Sequence, residues 1–229
     1  MSDLQAITPV KSIREVVYDK IKSAILDGAF GRGERLVEHD IAEKLQVSRT
    51  PVREALKRLE SEGILQALPR QGLIVKMHTE EEIREIYMIR EALESLAAEQ
   101  AAINATDGDV ALLEELVWAM GKLDAPDRDP NEAMDVHRKF SESYNRASHM
   151  PTLVHIIESL KEQIAPLRRV SLSKRKRRVS AHAEHEALLK ALKERKPDLA
   201  AELTRTHIRN ALEAYFDSET VDGGEKRDK

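Results

Sequence analysis

Residues 48–63 read SRTPVREALKRLESEG, which is the pattern of an amphipathic helix with two marked ends. Thr50 can accept a hydrogen bond from a free amide of the first turn, and Pro51 suits the first helical position because its missing N–H has no intrahelical partner there. Gly63 can adopt the left-handed conformation that stops a helix. Apolar side chains recur at three- and four-residue spacing and form one stripe: Val52, Ala55, Leu56 and Leu59.

Basic residues lie four apart beside that stripe: Arg49, Arg53 and Lys57. Residues 41–45 predict a short preceding helix, and residues 46–48 predict a tight turn between the two. This is the order of a helix-turn-helix, whose second helix lies in the major groove with its N-terminal residues at the base edges. Arg49 and Arg53 would then pair with guanine or contact phosphate. The alternative is an ordinary solvated face with salt partners on the same helix, Glu54 and Glu60.

The flanking segments complete a winged domain. Residues 12–27 carry apolar side chains at helical spacing and predict a first helix. Two short β-prone runs at 64–68 and 73–77 predict a hairpin. Three helices and a hairpin make a winged helix-turn-helix, whose wing tip can approach the minor groove or the DNA backbone. Arg70 and Gly72 are the predicted contacts at that tip.

Composition narrows the class of protein. The 229 residues are 41% hydrophobic and 34% charged, which suits helical globular domains, and the lack of cysteine excludes disulfides and thiolate chemistry. No apolar run approaches a membrane span and the N-terminus lacks a signal-peptide pattern, so we expect a cytoplasmic protein with no membrane partner. The net charge is −4, but residues 1–78 hold 13 Lys+Arg against 11 Asp+Glu. This asymmetry is compatible with a DNA-binding module joined to an acidic domain.

From Thr79 onwards the sequence shows helical periodicity alone, and its first four residues predict a capping box. Pro166 should bend or break the fourth of about six helices. The predicted helices span about 80–104, 107–122, 130–148, 151–171, 175–195 and 197–217. We therefore expect a mainly α protein with a winged helix-turn-helix domain over 1–78, an all-helical ligand-binding and dimerisation bundle over 79–220, and a disordered tail over 221–229.

Several runs carry a family resemblance: Gly33 to Leu36, Ile41 to Leu45, Ser48 to Leu56, Leu59-Glu60, Glu62-Gly63 and Pro69 to Gly72. Together they resemble the N-terminal domain of GntR-family transcriptional regulators, which implies a double-stranded DNA operator as partner. The resemblance implies operator contacts at four positions: Arg49, Thr50, Arg53 and Gly72. It implies a phosphate contact at most for His39, because histidine stands where the family often has arginine.

Helical runs carry a second resemblance: Arg90 to Glu94, Phe140, Arg146 to Pro151, Glu184 to Leu189 and His207-Ile208. They resemble the FCD ligand-binding domain of the FadR subfamily. This implies a small carboxylate effector that meets the forked guanidinium of Arg90, with Tyr87 one turn earlier on the same face. The alternative for Arg90 is an intrahelical salt bridge to Glu91 or Glu94.

The FCD resemblance also implies a metal site within the bundle. In that pattern, an acidic residue and a histidine four positions apart on one helix bind a metal ion together with two histidines from later in the sequence. His185 and His207 match the later pair, whereas His137 stands at the usual acidic position and Ser141 at the usual histidine position. The site would hold zinc or nickel through His137, His185 and His207, with Ser141 facing the effector. The alternative is a polar pocket without metal.

These inferences predict a ligand-responsive transcriptional regulator, more often a repressor in this family, that binds a pseudo-palindromic operator as a homodimer. Two other classes of function remain open. The histidines could serve a metal-dependent hydrolase fused to a DNA-targeting domain, although Glu184 and Glu186 are expected to point away from them. The basic run 174–178 and the wing could bind RNA, although a solvated face or an interhelical salt bridge is the simpler role for that run.

Overall fold

The computed structural model describes residues 11–26, 28–69, 72–123, 125 and 128–225, the last with backbone alone at 161–162 and 219–225. The chain divides into two compact units, Met1–His78 and Thr79–Lys229. Among the described residues, no helix is both long enough and apolar enough to cross a membrane.

The first unit is a winged helix-turn-helix, as the sequence predicts. Its elements in chain order are α1 (Ile13–Leu26), β1 (Arg35–Leu36), α2 (Glu38–Leu45), α3 (Arg49–Ser61), β2 (Leu65–Leu68) and β3 (Gly72–Val75). The apolar stripe of α3 is buried against α1, α2 and the sheet in a single core. Burial of this stripe is the main force that fixes α3, because an isolated helix of this length is marginal in water.

The wing is a three-stranded antiparallel sheet in the order β1-β3-β2. Leu65 pairs with Val75 and Leu68 pairs with Gly72 across the hairpin, while Arg35 of β1 pairs with Ile74 on the other edge of β3. The predicted contact Arg70 lies outside the described residues.

The start of α3 differs from the prediction. The helix begins at Arg49 with Ser48 as its N-cap, so Thr50 and Pro51 lie within the first turn and Thr50 is not the cap. Proline still fits there, because the first four N–H groups of a helix have no intrahelical acceptor. The exposed Thr50 side chain therefore remains available for an external partner.

The end of α3 follows the prediction. Gly63 has a φ of 73°, in the left-handed region that glycine adopts without strain. The amide of Gly63 donates to the Glu60 carbonyl and the amide of Ile64 donates to the Leu59 carbonyl, each at 3.0 Å. These two bonds satisfy carbonyls that the helix end would leave free, and they turn the chain sharply into the wing.

The second unit is all-helical within the described residues. Its seven helices are α4 (Glu80–Asn104), α5 (Asp107–Leu123), α6 (Pro130–Ala147), α7 (Pro151–Ser159), α8 (Lys161–Ser171), α9 (Arg175–Lys193) and α10 (Pro197–Glu225). The predicted capping box opens α4: the Thr79 hydroxyl accepts from the Glu82 amide at 3.2 Å, and the Glu82 carboxylate accepts from the Thr79 amide at 2.9 Å.

The predicted fourth helix is two helices, and the break is not where the sequence places it. The chain turns at Leu160, between α7 and α8, whereas Pro166 lies inside α8. The two halves pack into different apolar clusters: Ile157 joins the cluster of Ala97 and Leu153, and Leu167 joins that of Ile83 and Ile208. Burial on two sides decides the position of the turn, and α8 tolerates the loss of one hydrogen bond at proline.

The predicted disordered tail also needs correction. The last helix continues to Glu225 through Gly223 and Gly224, and residues 226–229 lie outside the described residues. Each residue added to an existing helix gains one hydrogen bond, so elongation is easier than starting a new helix. A helix can therefore extend into a polar segment that would be disordered on its own.

Candidate functional site

The exposed face of α3 carries the predicted DNA contacts. Arg49 and Arg53 have side chains 61% and 51% exposed, and Thr50 lies between them on the solvent side. Their positions in the first two turns are those from which a recognition helix reaches base edges.

One carboxylate holds both arginines. Arg53 forks onto Glu38 of α2 with nitrogen–oxygen distances of 2.9 and 3.1 Å, and the Arg49 Nη2 atom lies 3.6 Å from the same carboxylate. The hydrogen bonds from Arg53 lower the pKa of Glu38 despite a small opposing effect of burial. The expected intrahelical partners do not fill this role, because Glu54 pairs with Arg14 of α1 at 2.9 Å. Glu38 therefore orients the two arginines in the free protein.

Two further predicted DNA contacts within the described residues, His39 and Gly72, are exposed. His39 lies in the first turn of α2 and Gly72 opens β3 at the base of the wing tip. Gly72 has a φ of 79°, so any other residue there would be strained.

In the second unit, three helices bring the predicted histidines together. His137 of α6 and His185 of α9 are each 2% exposed, and their Nδ1 atoms are 3.3 Å apart. The ring of His207 on α10 lies 4.8 Å from that of His185, and Phe140 stacks on His185 at 4.4 Å. Residues 48 and 22 positions apart thus form one buried cluster.

Burial keeps these imidazoles neutral. It lowers the pKa of His137 to about 3, and electrostatic repulsion from neighbouring groups such as His207 and Arg177 acts in the same direction. It also lowers the pKa of His185 well below the usual value, again reinforced by His207. The Nε2 atoms of His137 and His185 are buried and have no hydrogen-bond partner among the described residues. Such atoms are costly unless a ligand satisfies them.

His207 is held by a carboxylate that the sequence analysis expected to point elsewhere. Its Nδ1 atom lies 2.5 Å from Glu184, which also accepts from Arg177 at 2.9 Å and from Asn210 at 2.8 Å. Burial raises the pKa of Glu184, but the bonds from His207, Arg177 and Asn210 outweigh it and lower the pKa to about 2. The ionised carboxylate fixes the proton of His207 on Nδ1 and leaves Nε2 as an acceptor.

The basic run 174–178 is not a wholly solvated face. Arg177 is 8% exposed and spans from Glu184 to the carbonyl of His207, and Arg178 is 6% exposed and donates to the carbonyls of Leu172 and Ser173. Their hydrocarbon stems are buried among the helices while their charged ends find internal partners.

The donor set suits a transition metal in kind, but its arrangement is not that of a bound ion. Neutral imidazoles bind zinc and nickel, and the unpartnered Nε2 atoms of His137 and His185 are suitable ligand atoms. However, the facing Nδ1 atoms turn those two Nε2 atoms apart, and no group of three or more His, Asp or Glu side chains in the described residues is placed to hold an ion. Rotation of at least one ring would be needed for them to converge.

Arg90 forms the intrahelical bridge that was the alternative to effector binding, and it also keeps one nitrogen without a partner in the part of the chain that the structure describes. Its Nε atom donates to Glu94 at 2.8 Å, which is the intrahelical bridge, and Tyr144 donates to the other Glu94 oxygen at 2.9 Å. Its Nη1 atom is buried without a partner among the described residues, and its guanidinium lies 4.8 Å from the ring of Tyr87. One hydrogen-bond donor of this buried cation is thus free for a ligand.

These groups line a small cavity, here called the histidine cavity. Its polar lining comprises Arg90, His137, Ser141, Arg168, Ser171, Arg177, His185 and His207. The volume is about 10 Å³, close to the space of one water molecule. Ser141 donates to the carbonyl of His137 at 3.3 Å, and Arg168 is a lining residue that the sequence analysis missed. The sequence around Arg168 does not indicate that this side chain lines the cavity, because the orientation of α8 depends on the turn at Leu160.

The winged helix-turn-helix with its basic recognition helix defines a class, that of DNA-binding transcriptional regulators. Residues 13–75 match the family described as bacterial regulatory proteins, gntR family, and residues 85–210 match the FCD domain. The chain belongs to the GntR family and carries an FCD domain. The matching families consist of regulators, so the hydrolase alternative is not supported.

Three relatives illustrate the family. The HTH-type transcriptional regulator McbR of Escherichia coli is 35% identical over an alignment that covers 66% of this chain and 67% of McbR. The solved structure of E. coli McbR/YncC is similar with a TM-score of 0.77 at 28% sequence identity, and the match covers 91% of this chain and 99% of that one. The regulator YdhC of Bacillus subtilis is 29% identical over 86% of this chain and 88% of its own. The gluconate operon transcriptional repressor of Bacillus licheniformis is 30% identical over 79% of this chain and 75% of its own.

Proposed function

We propose that this regulator binds a pseudo-palindromic operator as a homodimer and senses a small carboxylate in the histidine cavity. The observation that carries the proposal is a buried cavity with a free guanidinium donor on Arg90 and two unpartnered imidazole nitrogens, in the same chain as an exposed recognition helix. A cavity lined by arginine side chains favours a small anion, because charge-assisted hydrogen bonds are strong in a protein interior.

The proposed operator contacts are Arg49, Thr50 and Arg53 on α3, with Gly72 and Arg70 at the wing and His39 at a phosphate. Glu38 would release the two arginines as DNA phosphates and base edges replace it. Repression relieved by the acid is the proposed direction, in keeping with the relative named as a gluconate operon repressor. The acid can act only through different affinities for the operator-bound and free states.

We also propose that the three histidines hold zinc or nickel. His137, His185 and His207 would supply neutral nitrogen ligands, Glu184 would fix the tautomer of His207, and a carboxylate oxygen of the effector could fill an open position. The bound metal would act as a Lewis acid that strengthens binding of the acid. Ser141, as a neutral hydroxyl, would contact the effector rather than the metal.

A second copy of the chain would pair through the helical unit. One face of α4 exposes apolar side chains at helical spacing, including Met88 at 72% and Ile103 at 54%, and a groove of about 700 Å³ runs between α4 and α10. Apolar side chains repeated along a solvent face are typical of an interface. A two-fold operator requires a two-fold protein.

Selection from a random double-stranded DNA library tests the proposal. We expect the protein to enrich an inverted repeat, and Arg53→Gln to weaken binding to it by about 1–3 kcal/mol. Arg14→Gln is the matched control, because Arg14 is an exposed arginine paired to Glu54 on the same unit. Enrichment of a sequence without two-fold symmetry, or equal effects of the two substitutions, would count against the proposal.

A further inference from the structure

The histidine cavity has a neighbour that shares two lining residues with it. A second cavity of about 40 Å³ lies among α4, α6, α7 and α8. Ser141 and Arg168 line both cavities. These two residues therefore lie at the boundary between the two cavities, here called the junction.

The carboxylates that line the second cavity are already paired with arginines. Glu94 accepts from Arg90 at 2.8 Å, Glu142 from Arg138 at 2.9 Å and Glu158 from Arg146 at 3.0 Å. Their hydrogen bonds are therefore taken up by other arginines, although Glu94 still attracts the cationic group at the junction electrostatically.

That cationic group is Arg168. No hydrogen bond or ion pair joins its guanidinium to another of the residues that the structure describes, whereas the neighbouring Arg90 is paired. The Glu94 carboxylate attracts the half-buried guanidinium but accepts no hydrogen bond from it. An anionic ligand at the junction would supply the missing acceptors through two parallel hydrogen bonds.

The far side of the second cavity offers one polar acceptor on an apolar wall. Asn145 is 5% exposed, and its Oδ1 atom is buried without a partner among the described residues. Ile157 and Ile164, both buried, form the wall beside it together with Val154. A buried amide oxygen selects a ligand that carries an O–H or N–H donor, because an apolar group in the same place would leave the oxygen unsatisfied.

We propose that Arg168 anchors the effector and that Asn145 selects it, so that the ligand is a short aliphatic acid with a hydroxyl or amide donor on its third or fourth carbon. The carboxylate binds Arg168 at the junction, the donor reaches the Asn145 Oδ1 atom, and the alkyl chain lies on Ile157 and Ile164. This inference rests on the proposed carboxylate sensor and adds its anchor and its selectivity.

Isothermal titration of the full chain with matched acids tests the inference. The probes are butanoate, pentanoate and hexanoate, with their 2-hydroxy, 3-hydroxy and 4-hydroxy counterparts. We expect a 3- or 4-hydroxy acid to bind about tenfold more tightly than its parent acid, as one buried hydrogen bond would give. Asn145→Leu should reduce that ratio to about two while the affinity for the parent acid stays unchanged.

Two further variants test the anchor and the junction. Arg168→Gln should weaken all the acids at least tenfold, whereas Arg169→Gln, one position along α8 and lining neither cavity, should leave binding unchanged. Ser141→Leu fills the junction and should remove the preference for the hydroxy acids. Circular dichroism of each variant establishes that it is folded. If Asn145→Leu unfolds, Asn145→Asp provides a second, polar replacement. The negative charge of the new carboxylate should repel the acids and weaken the binding of every probe.

The outcomes separate this inference from the function on which it rests. Binding of acids without a 3- or 4-hydroxy preference, or a preference that survives Asn145→Leu, overturns the selectivity and leaves the sensor. Equal effects of Arg168→Gln and Arg169→Gln overturn the anchor. No binding of any acid overturns both this inference and the proposed carboxylate sensor.

Discussion

Glu62, at the end of the recognition helix, joins three side chains of the winged unit. Its carboxylate accepts from Tyr18 at 2.5 Å, from Lys22 at 3.0 Å and from Arg58 at 3.0 Å. Partial burial raises the pKa of Glu62, but the hydrogen bonds from Tyr18, Lys22 and Arg58 outweigh it, so the pKa lies below its usual value of 4.5. The ionised form thus ties α3 to α1.

The depressed pKa gives the stabilisation a pH dependence with a definite sign. The contribution is fully present above pH 4.5 and is lost as the pH falls through the lower pKa of the folded protein. We expect Glu62→Gln to reduce the free energy of unfolding of this unit by about 1–2 kcal/mol at pH 7, with a smaller difference below pH 4. Urea unfolding at pH 7 and at pH 3.5 measures it, and a difference that grows in acid would contradict the assignment.

Ion pairs between side chains of one helix can be predicted from the sequence, whereas ion pairs between separate elements cannot. The bridge between Arg90 and Glu94 follows from four-residue spacing. The pairing of Arg53 with Glu38 and that of His207 with Glu184 join separate helices, and only the packing brings them together. The same holds for Arg168, whose importance depends on which cavities its helix faces.

At the scale of elements, α4 is the helix whose start is most strongly specified. Thr79 and Glu82 exchange hydrogen bonds in the capping box. We expect Thr79→Ala to reduce the free energy of unfolding of the helical unit by about 1 kcal/mol, because an amide of the first turn loses its acceptor. Thr79→Ser keeps the hydroxyl and should have little effect. Thermal unfolding followed by circular dichroism compares the two, and equal melting temperatures would show that the cap contributes nothing.

Most elements were predictable because their signals are local. Caps, glycine stops and apolar periodicity give the helices on either side of His78, and the hairpin follows from two β-prone runs around a turn. The turn at Leu160 was not predictable, because it arises from the burial of Ile157 and Leu167 in different apolar clusters. No residue near the turn indicates that the helix ends there. Pro166 is a strong local signal that tertiary packing overrides.

At the scale of the whole molecule, the proposed dimer makes α4 the interface. Met88→Glu places a charge on its exposed apolar face, and we expect a monomer in light scattering with operator affinity reduced at least a hundredfold. Trp118→Glu is the matched control, because Trp118 is 65% exposed on α5 and lies outside the groove between α4 and α10. A dimer that persists in Met88→Glu but dissociates in Trp118→Glu would move the interface to α5.

In the proposed mechanism, an acid bound in the helical unit changes the affinity of the winged unit for DNA. The direct measurement is the Kd for the selected operator at fixed salt, with and without a saturating acid, in the wild type and in Arg90→Gln. We expect the acid to raise the Kd of the wild type by about 5–150-fold and to leave that of the variant unchanged. An acid that binds the wild type yet leaves its operator Kd unchanged would contradict the proposed mechanism.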